Sequence, residues 1–174
     1  MDVIEVASLL TLHLLVLAAM LQDIKETRIS NRLILSGILI SIALRILHGE
    51  VRQIYRILPN IIIPVVMLYL FYLMGAIGAG DIKLFSLIGS FVNLRELISC
   101  IVFSFIVGAA LSLVKLLVTK QFFVRISDGW CYILDLIRGN WTSYSHRDTG
   151  NVIHFAVPIM AGLLLSEAYG LWWR

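Results

Sequence analysis

Two aspartates lie at the ends of apolar segments, where a carboxylate is unusual. Asp81 ends the stretch GAIGAGD after a long apolar run, and Asp23 follows the first apolar run in LQDIK. An aspartate at membrane depth costs about 2.5–3.5 kcal/mol on insertion scales, so it indicates a functional site. When two carboxyl groups lie close together, one keeps a proton and can polarise a carbonyl, while the ionised one can deprotonate water. The pair therefore predicts hydrolysis by an acid–base dyad, without a metal or another cofactor.

The composition is that of an integral membrane protein. Of the 174 residues, 60% are hydrophobic and only 14% are charged, and the mean hydropathy of +0.94 is too high for a soluble domain. The net charge of +3 is too small to indicate a nucleic-acid partner, so the lipid bilayer is the expected environment. The two cysteines, Cys100 and Cys131, form no CxxC motif and support neither a zinc site nor a disulfide framework.

Six apolar runs predict an all-α integral membrane protein with about six transmembrane helices in one polytopic domain over residues 1–174. A spanning helix needs roughly 20 apolar residues, and the second and fourth runs are shorter than this. The first run lacks a basic start and a cleavage site, so we expect a retained helix and not a signal peptide. The predicted spans are Val3–Leu21, Leu33–Leu47, Ile57–Ala79, Ile82–Leu94, Leu97–Val118 and Val152–Trp173.

The segment 119–150, between the fifth and sixth runs, predicts a short amphipathic helix that lies in the membrane interface. Trp130, Ile133 and Ile137 share one helical face, whereas Asp128 and Asp135 share another. The polar stretch SYSHRDTGN that follows predicts a loop.

The basic residues predict that the N-terminus lies outside the cytoplasm. In that orientation nine lysines and arginines lie in or beside cytoplasmic loops and four lie on the other side, in agreement with the positive-inside rule. Two membrane crossings separate Asp23 from Asp81, so both are expected on the cytoplasmic face. The nine are Lys25, Arg28, Arg32, Lys83, Lys115, Lys120, Arg125, Arg138 and Arg147, and the four are Arg52, Arg56, Arg95 and Arg174.

Three motifs resemble those of the bacterial type IV prepilin peptidases, which are membrane aspartic proteases of the GxGD type. GAGDIKL (78–84) resembles the GxGDxKL signature, and DIKETRISN (23–31) resembles the segment that carries the first catalytic aspartate. IHFAVPIMAG (153–162) is similar to the proline-bearing segment of the last helix. The motifs occur in the family's order, and the resemblance covers nearly the whole chain. Ser30 departs from it, because the family often has proline there.

The resemblance implies an endopeptidase that cleaves the short leader from prepilin-like precursors at the cytoplasmic face of the inner membrane. It implies that Asp23 and Asp81 are the catalytic pair. The chain is similar to the short form that serves tight-adherence (Flp-type) pili and lacks a CxxC-bearing methyltransferase domain, so we expect cleavage without methylation. The supporting residues that it implies are Gly78 and Gly80 in the loop before Asp81, the motif lysine Lys83, Asn31 as a cap of the second helix, and Lys25 and Arg28 as candidate contacts of the leader.

Other functions use the same residues. Asp81 alone is explained as a helix cap and Asp23 alone as an ordinary loop acid. A transporter or proton relay also carries membrane carboxylates, although the sequence shows no pair of related halves. A preflagellin-type peptidase shares the two-aspartate plan, and a pilus assembly protein would use the aspartates only to hold loops. His13 and His154 are expected to bond neighbouring helices and not a ligand. The oligomeric state and the particular prepilin are left open.

Overall fold

The computed structural model describes residues 3–47, 49, 54–118 and 154–172 of the chain. The regular structure in these ranges is entirely helical, as the sequence predicts. The helices are α1 (Val3–Glu26), α2 (Asn31–Leu47), α3 (Ile54–Leu73), α4 (Ala79–Phe91), α5 (Leu94–Val118) and α6 (Ala156–Trp172).

Helix α1 extends further than its apolar run and includes Asp23. The sequence predicted a helix that ends at Leu21 with Asp23 in the loop beyond it, and this was wrong, because α1 ends at Glu26. Gln22, Lys25 and Glu26 have good helix propensities, so the helix continues after the apolar residues stop. Helical backbone therefore holds Asp23, and its position is more rigid than that of a loop residue.

The third and fourth helices begin and end earlier than the hydropathy predicted. α3 ends at Leu73 and not at Ala79. Gly75 then adopts a φ of +70°, a left-handed conformation that favours glycine and turns the chain out of the helix. α4 begins at Ala79 and ends at Phe91.

The start of α5 at Leu94, three residues before the predicted Leu97, has a local cause. The Glu96 N–H donates to Asn93 Oδ1 (3.0 Å), and the Asn93 N–H donates to Glu96 Oε2 (3.4 Å). This reciprocal capping box satisfies two amides that a helix start leaves unpaired. The boundaries of α2 and α6 lie within a few residues of their predicted spans.

Helix α4 is the central element and packs against α1, α2, α3 and α6. Leu84, Phe85, Leu87 and Ile88 are fully buried, so α4 has apolar neighbours around its whole circumference. At Gly89 it approaches α3 so closely that a Cβ atom would overlap a backbone carbonyl of that helix. The short fourth run, which looked too short to cross a membrane alone, is thus enclosed by other helices.

Polar side chains of α2 bind the C-terminal end of α4. Ser41 Oγ donates to the Ser90 carbonyl (2.6 Å), and Arg45 Nη2 donates to the Phe91 carbonyl (3.0 Å). The last carbonyls of a helix have no intrahelical partner, and leaving them unpaired away from water is costly. These bonds fix α4 along its axis, and so they also fix the position of Asp81 at its other end.

Two helices, Ile4–Glu26 and Leu94–Lys115, are long and apolar enough to cross a membrane. Ile57–Leu73 and Ala156–Gly170 are apolar but shorter. With 13 residues, α4 is only about 20 Å long at 1.5 Å per residue. The helices therefore support an integral membrane protein, and the count of about six transmembrane helices stays a prediction.

The chain divides into two compact units, Met1–Val107 with His154–Arg174, and Gly108–Ile153. All candidate site residues belong to the first unit. In the second unit only the end of α5, residues 108–118, is described. The interfacial amphipathic helix predicted at 119–150 lies outside the described residues, and the single domain over 1–174 stays a prediction.

Candidate active site

Asp23 extends the buried face of α1. Leu12, Val16 and Ala19 are buried at helical spacing, and Asp23 follows Ala19 one turn later on the same face. The Asp23 side chain is only 14% exposed. The carboxyl group therefore points into the protein and not into lipid or bulk water.

A tight turn connects the end of α1 at Glu26 to α2, about one helical turn beyond Asp23. Thr27 has a left-handed φ of +53°, and its N–H donates to the Asp23 carbonyl (2.8 Å). The Ser30 N–H donates to Gln22 Oε1 (3.0 Å). A side chain of α1 thus holds the start of α2, which supplies rigidity that the proline expected at Ser30 would otherwise give.

Asp81 is the third residue of α4, where its carboxylate lies over the free amides of the helix start. Gly78 is the residue before the helix, and its N–H donates to Asp81 Oδ2 (3.2 Å). A Cβ atom at Gly78 would lie 3.1 Å from the same oxygen, so a larger residue would crowd the carboxylate. The helix-cap role considered for Asp81 is therefore present, and it uses one carboxylate oxygen.

Two contacts join the segment around Asp81 to the turn after Asp23. A Cβ atom at Gly80 would lie 3.6 Å from the side chain of Ile29, so the two segments pack closely here. Lys83 Nζ donates to Asn31 Oδ1 (2.9 Å). The two motifs that the sequence singled out are thus attached to each other on both sides of Asp81.

The prediction that Asn31 caps α2 was wrong. Asn31 is the first residue of α2, and its side chain accepts from Lys83. Ser30 instead takes the capping position, since its Oγ accepts from the Arg32 N–H (3.2 Å). A serine one residue before a helix is itself a common cap, so the sequence carried this signal.

Burial and the nearby charge of Asp23 change the acidity of Asp81. Burial is the larger effect, and together they raise the pKa of Asp81 to about 6, while the Gly78 amide acts in the opposite direction. Asp81 lies directly before the predicted membrane span Ile82–Leu94. The site thus holds one carboxyl group that keeps a proton at or below about pH 6, and the charge of a second carboxyl group acts on it.

The two candidate leader contacts, Lys25 and Arg28, follow Asp23 at the end of α1 and in the turn beyond it. Lys25 lines an open groove of about 360 Å³ together with residues such as Gln22, Ser30 and Leu33. Arg28 is exposed in the turn before α2. Neither side chain has a contact with Asp81 among the described interactions.

His154 is the site residue whose role the sequence analysis missed. It precedes α6, and its Nδ1 lies 3.5 Å from Asp23 Oδ2. The contact fits the expectation that this histidine bonds a neighbouring helix, as does the contact of His13 Nε2 with Glu167 Oε2 (3.2 Å). The segment IHFAVPIMAG was recognised for its proline, and nothing in it indicated that the histidine meets a catalytic candidate.

The described residues contain no cluster of three His, Cys, Asp or Glu side chains that could hold a metal ion. His154 lies 3.5 Å from Asp23, and Asp23 lies close enough to Asp81 for its charge to affect that group. This arrangement can take a proton from water at one carboxylate and give a proton to a carbonyl oxygen from the other.

A family model, the type IV leader peptidase family, matches residues 10–113, which is more than half of the chain. The match includes Asp23, Asp81 and the turns around them, whereas His154 lies outside it. No curated protein and no solved structure matches the chain. On the strength of the family match, the chain belongs to the type IV leader peptidase family.

Proposed function

We propose that this protein is a membrane aspartic endopeptidase that removes the leader from prepilin-like precursors at the cytoplasmic face of the inner membrane. Family membership supports a leader peptidase, a prepilin substrate and a membrane setting. The observation that carries the aspartic mechanism is the pair Asp23 and Asp81: burial and, to a smaller extent, the charge of Asp23 raise the pKa of Asp81 to about 6. The tight-adherence (Flp-type) pilus is the proposed system.

In the proposed reaction, the ionised carboxylate takes a proton from a water molecule as that water attacks the scissile carbonyl carbon. The protonated carboxyl group gives its proton to the carbonyl oxygen, which forms a tetrahedral diol. The first carboxyl group then gives the proton from water to the leaving nitrogen, the C–N bond breaks as the carbonyl re-forms, and the released diol proton returns to the second carboxylate. No covalent intermediate forms with the protein. Gly78 and Gly80 keep space around Asp81, and Lys83 with Asn31 holds the two motif segments together.

A reconstitution experiment distinguishes this function from transport. The purified chain is placed in liposomes with a prepilin from its own genome, and precursor length and proton flux are measured in the same vesicles. A peptidase shortens the precursor and gives no flux. Flux that is lost in Asp81→Asn, with an uncut precursor, would favour the transporter and overturn the proposal.

The rate of cleavage should fall as the pH rises above about 6, the pKa of Asp81. Since the pKa of Asp81 is about 6, this group carries its proton below that pH and loses it above. If the protonated form is the general acid, kcat/KM should fall by about tenfold per pH unit above 6. Initial rates on one prepilin between pH 4 and 9, at constant ionic strength, give the profile. A rate that stays constant from pH 6 to 9 would contradict a protonated Asp81.

Lys83 and Asn31 should affect cleavage as a pair, through the hydrogen bond between them. Lys83→Met and Asn31→Ala each remove it, and each should lower the cleavage rate by a factor of about 10, the value for a bond to a charged group. Because both changes break one contact, the double variant should be no worse than the poorer single variant. The three rates, measured on folded protein, form a double-mutant cycle. Effects that multiply would show that the two residues act independently.

A further inference from the structure

His154 and Asp23 face each other across the contact between α6 and α1. The Nδ1 atom of His154 lies 3.5 Å from Oδ2 of Asp23. The side chains are 27% and 14% exposed, respectively, so both are largely shielded from water. The distance is longer than a formed hydrogen bond and is within the range of an ion pair.

Neither of the two facing atoms has another partner in the part of the chain that the structure describes. Asp23 Oδ2 and His154 Nδ1 are both fully buried, and neither makes a hydrogen bond with the described residues. Buried polar atoms without a partner are rare in folded proteins because they lose their hydration without compensation. The arrangement is best explained if the two atoms are partners of each other and their distance shortens by a few tenths of an ångström in the working state.

We propose that His154 is a positioning residue that donates a hydrogen bond from Nδ1 to Asp23 and thereby keeps Asp23 as the ionised, water-activating member of the pair. This inference rests on the proposed function. It assigns the two roles that the aspartates alone leave open: Asp23 accepts the proton from water, and Asp81 donates a proton to the carbonyl oxygen.

The surroundings of the two carboxyl groups differ in a way that supports this assignment. A donor beside a carboxylate favours the ionised form, and an N–H at His154 Nδ1, 3.5 Å from Asp23 Oδ2, would be such a donor. Asp81 has the amide of Gly78 as its partner and is substantially buried, which favours the protonated form. The proton that the pair shares therefore lies on Asp81.

Few other charged groups lie at this end of the elements that pack against α6. On α1 they are Asp23, Lys25 and Glu26, and on α4 they are Asp81 and Lys83. Lys25, Glu26 and Lys83 are exposed, and Lys83 donates to a side chain of α2. The charge on α5 nearest to its contact with α6 is Glu96, at the start of that helix. Among the described residues, Asp23 is the charged group that contacts the imidazole.

Two variants of His154 separate a donor role from a packing role. His154→Asn keeps an N–H donor close to the place of Nδ1, whereas His154→Leu keeps the apolar volume and removes the donor. With the full-length protein in detergent or liposomes and one prepilin substrate, kcat/KM is measured from pH 3.5 to 8. His13→Leu serves as the matched control, since it removes a histidine that contacts α6 at Glu167 and not at Asp23.

We expect His154→Leu to lower cleavage at pH 6 by about 10-fold and to move the acidic limb of the profile upward by about one pH unit. His154→Asn should stay within a few-fold of wild type with the limb near its original place. His13→Leu should leave the acidic limb of the profile in place, even if this change lowers the stability of the protein.

The inference would be overturned if the acidic limb of the kcat/KM profile stayed in place in His154→Leu. It would also be overturned if the Leu and Asn variants lost the same amount of cleavage activity while the acidic limb of neither moved. If His154→Leu does not fold, His154→Asn provides the test. Since this variant keeps an N–H donor, a shift of its acidic limb by one pH unit would contradict a donor role for His154. Absence of cleavage by wild type would count against the proposed function, whereas an active wild type with unresponsive His154 variants would count against this inference alone.

Discussion

Asp23→Asn and Asp81→Asn should each reduce the rate of prepilin cleavage by at least about 100-fold, the lower range for loss of a general acid or base. Asn keeps the size of the side chain but neither accepts a proton from water nor donates one to a carbonyl. The double variant should be no slower than the poorer single variant, since groups that act as one unit are strongly non-additive. The rates are measured on purified protein with one prepilin under conditions of substrate saturation.

Loss of folding must be excluded for these variants. Burial raises the pKa of Asp81 from 3.8 to about 6, so the folded state binds this proton more tightly than the unfolded state. That stabilisation is complete below pH 3.8 and is lost as the pH rises through 6, whereas Asn carries no such dependence. At pH 7, Asp81→Asn should therefore unfold at a temperature no lower than wild type. Glu5→Gln, at the opposite end of α1, is the control that should cleave normally, and activity in either Asn variant would contradict the dyad.

Gly162→Ala should strongly destabilise the protein, whereas Gly170→Ala on the same helix should not. A Cβ atom at Gly162 would overlap Ser104 Oγ and lie 2.6 Å from the Ser104 nitrogen and 2.8 Å from the Cys100 carbonyl oxygen, so α5 and α6 would have to separate. Overpacking of this kind costs about 1–3 kcal/mol. A Cβ atom at Gly170 meets nothing within 4 Å.

Thermal unfolding in one detergent compares these two glycine variants under identical conditions. Gly170→Ala should unfold at or slightly above the wild-type temperature, because alanine has the higher helix propensity. Gly162→Ala should unfold clearly below it and should also cleave more slowly, since α6 begins next to His154. Equal shifts in the two variants would show that α5 and α6 do not pack as closely as the structure has them.

The sequence paired Asp23 with Asp81 from aspartates at the ends of apolar runs, glycines before Asp81 and the parity of two crossings, and the structure brings the two carboxyl groups close enough to interact. The shared membrane face stays a prediction. The helix end at Glu26 was missed because hydropathy stops at Leu21 while helix propensity continues through Gln22 and Lys25. The early end of α3 was missed because Gly75 lies in an otherwise apolar run and its positive φ is not visible in hydropathy.

Features that depend on packing between distant segments could not be predicted from one sequence. The contact of His154 with Asp23 joins the first and last helices, and a lone histidine before an apolar run has no local pattern that names its partner. The central position of α4 was equally hidden, since all apolar runs look alike in composition although α4 is enclosed by its neighbours. The motifs pointed to Lys83 and Asn31 separately, and neither motif indicated that the two side chains form a hydrogen bond.

The central claim is that this chain is a prepilin leader peptidase, and the intact mass of a prepilin tests it most directly. A prepilin from the same genome is co-expressed with wild type or with the double variant Asp23→Asn/Asp81→Asn, and the precursor is analysed by mass spectrometry. The account predicts loss of the leader, by a single cut, with wild type alone. An uncut prepilin beside a folded wild-type protein, or the same cut with the double variant, would contradict it.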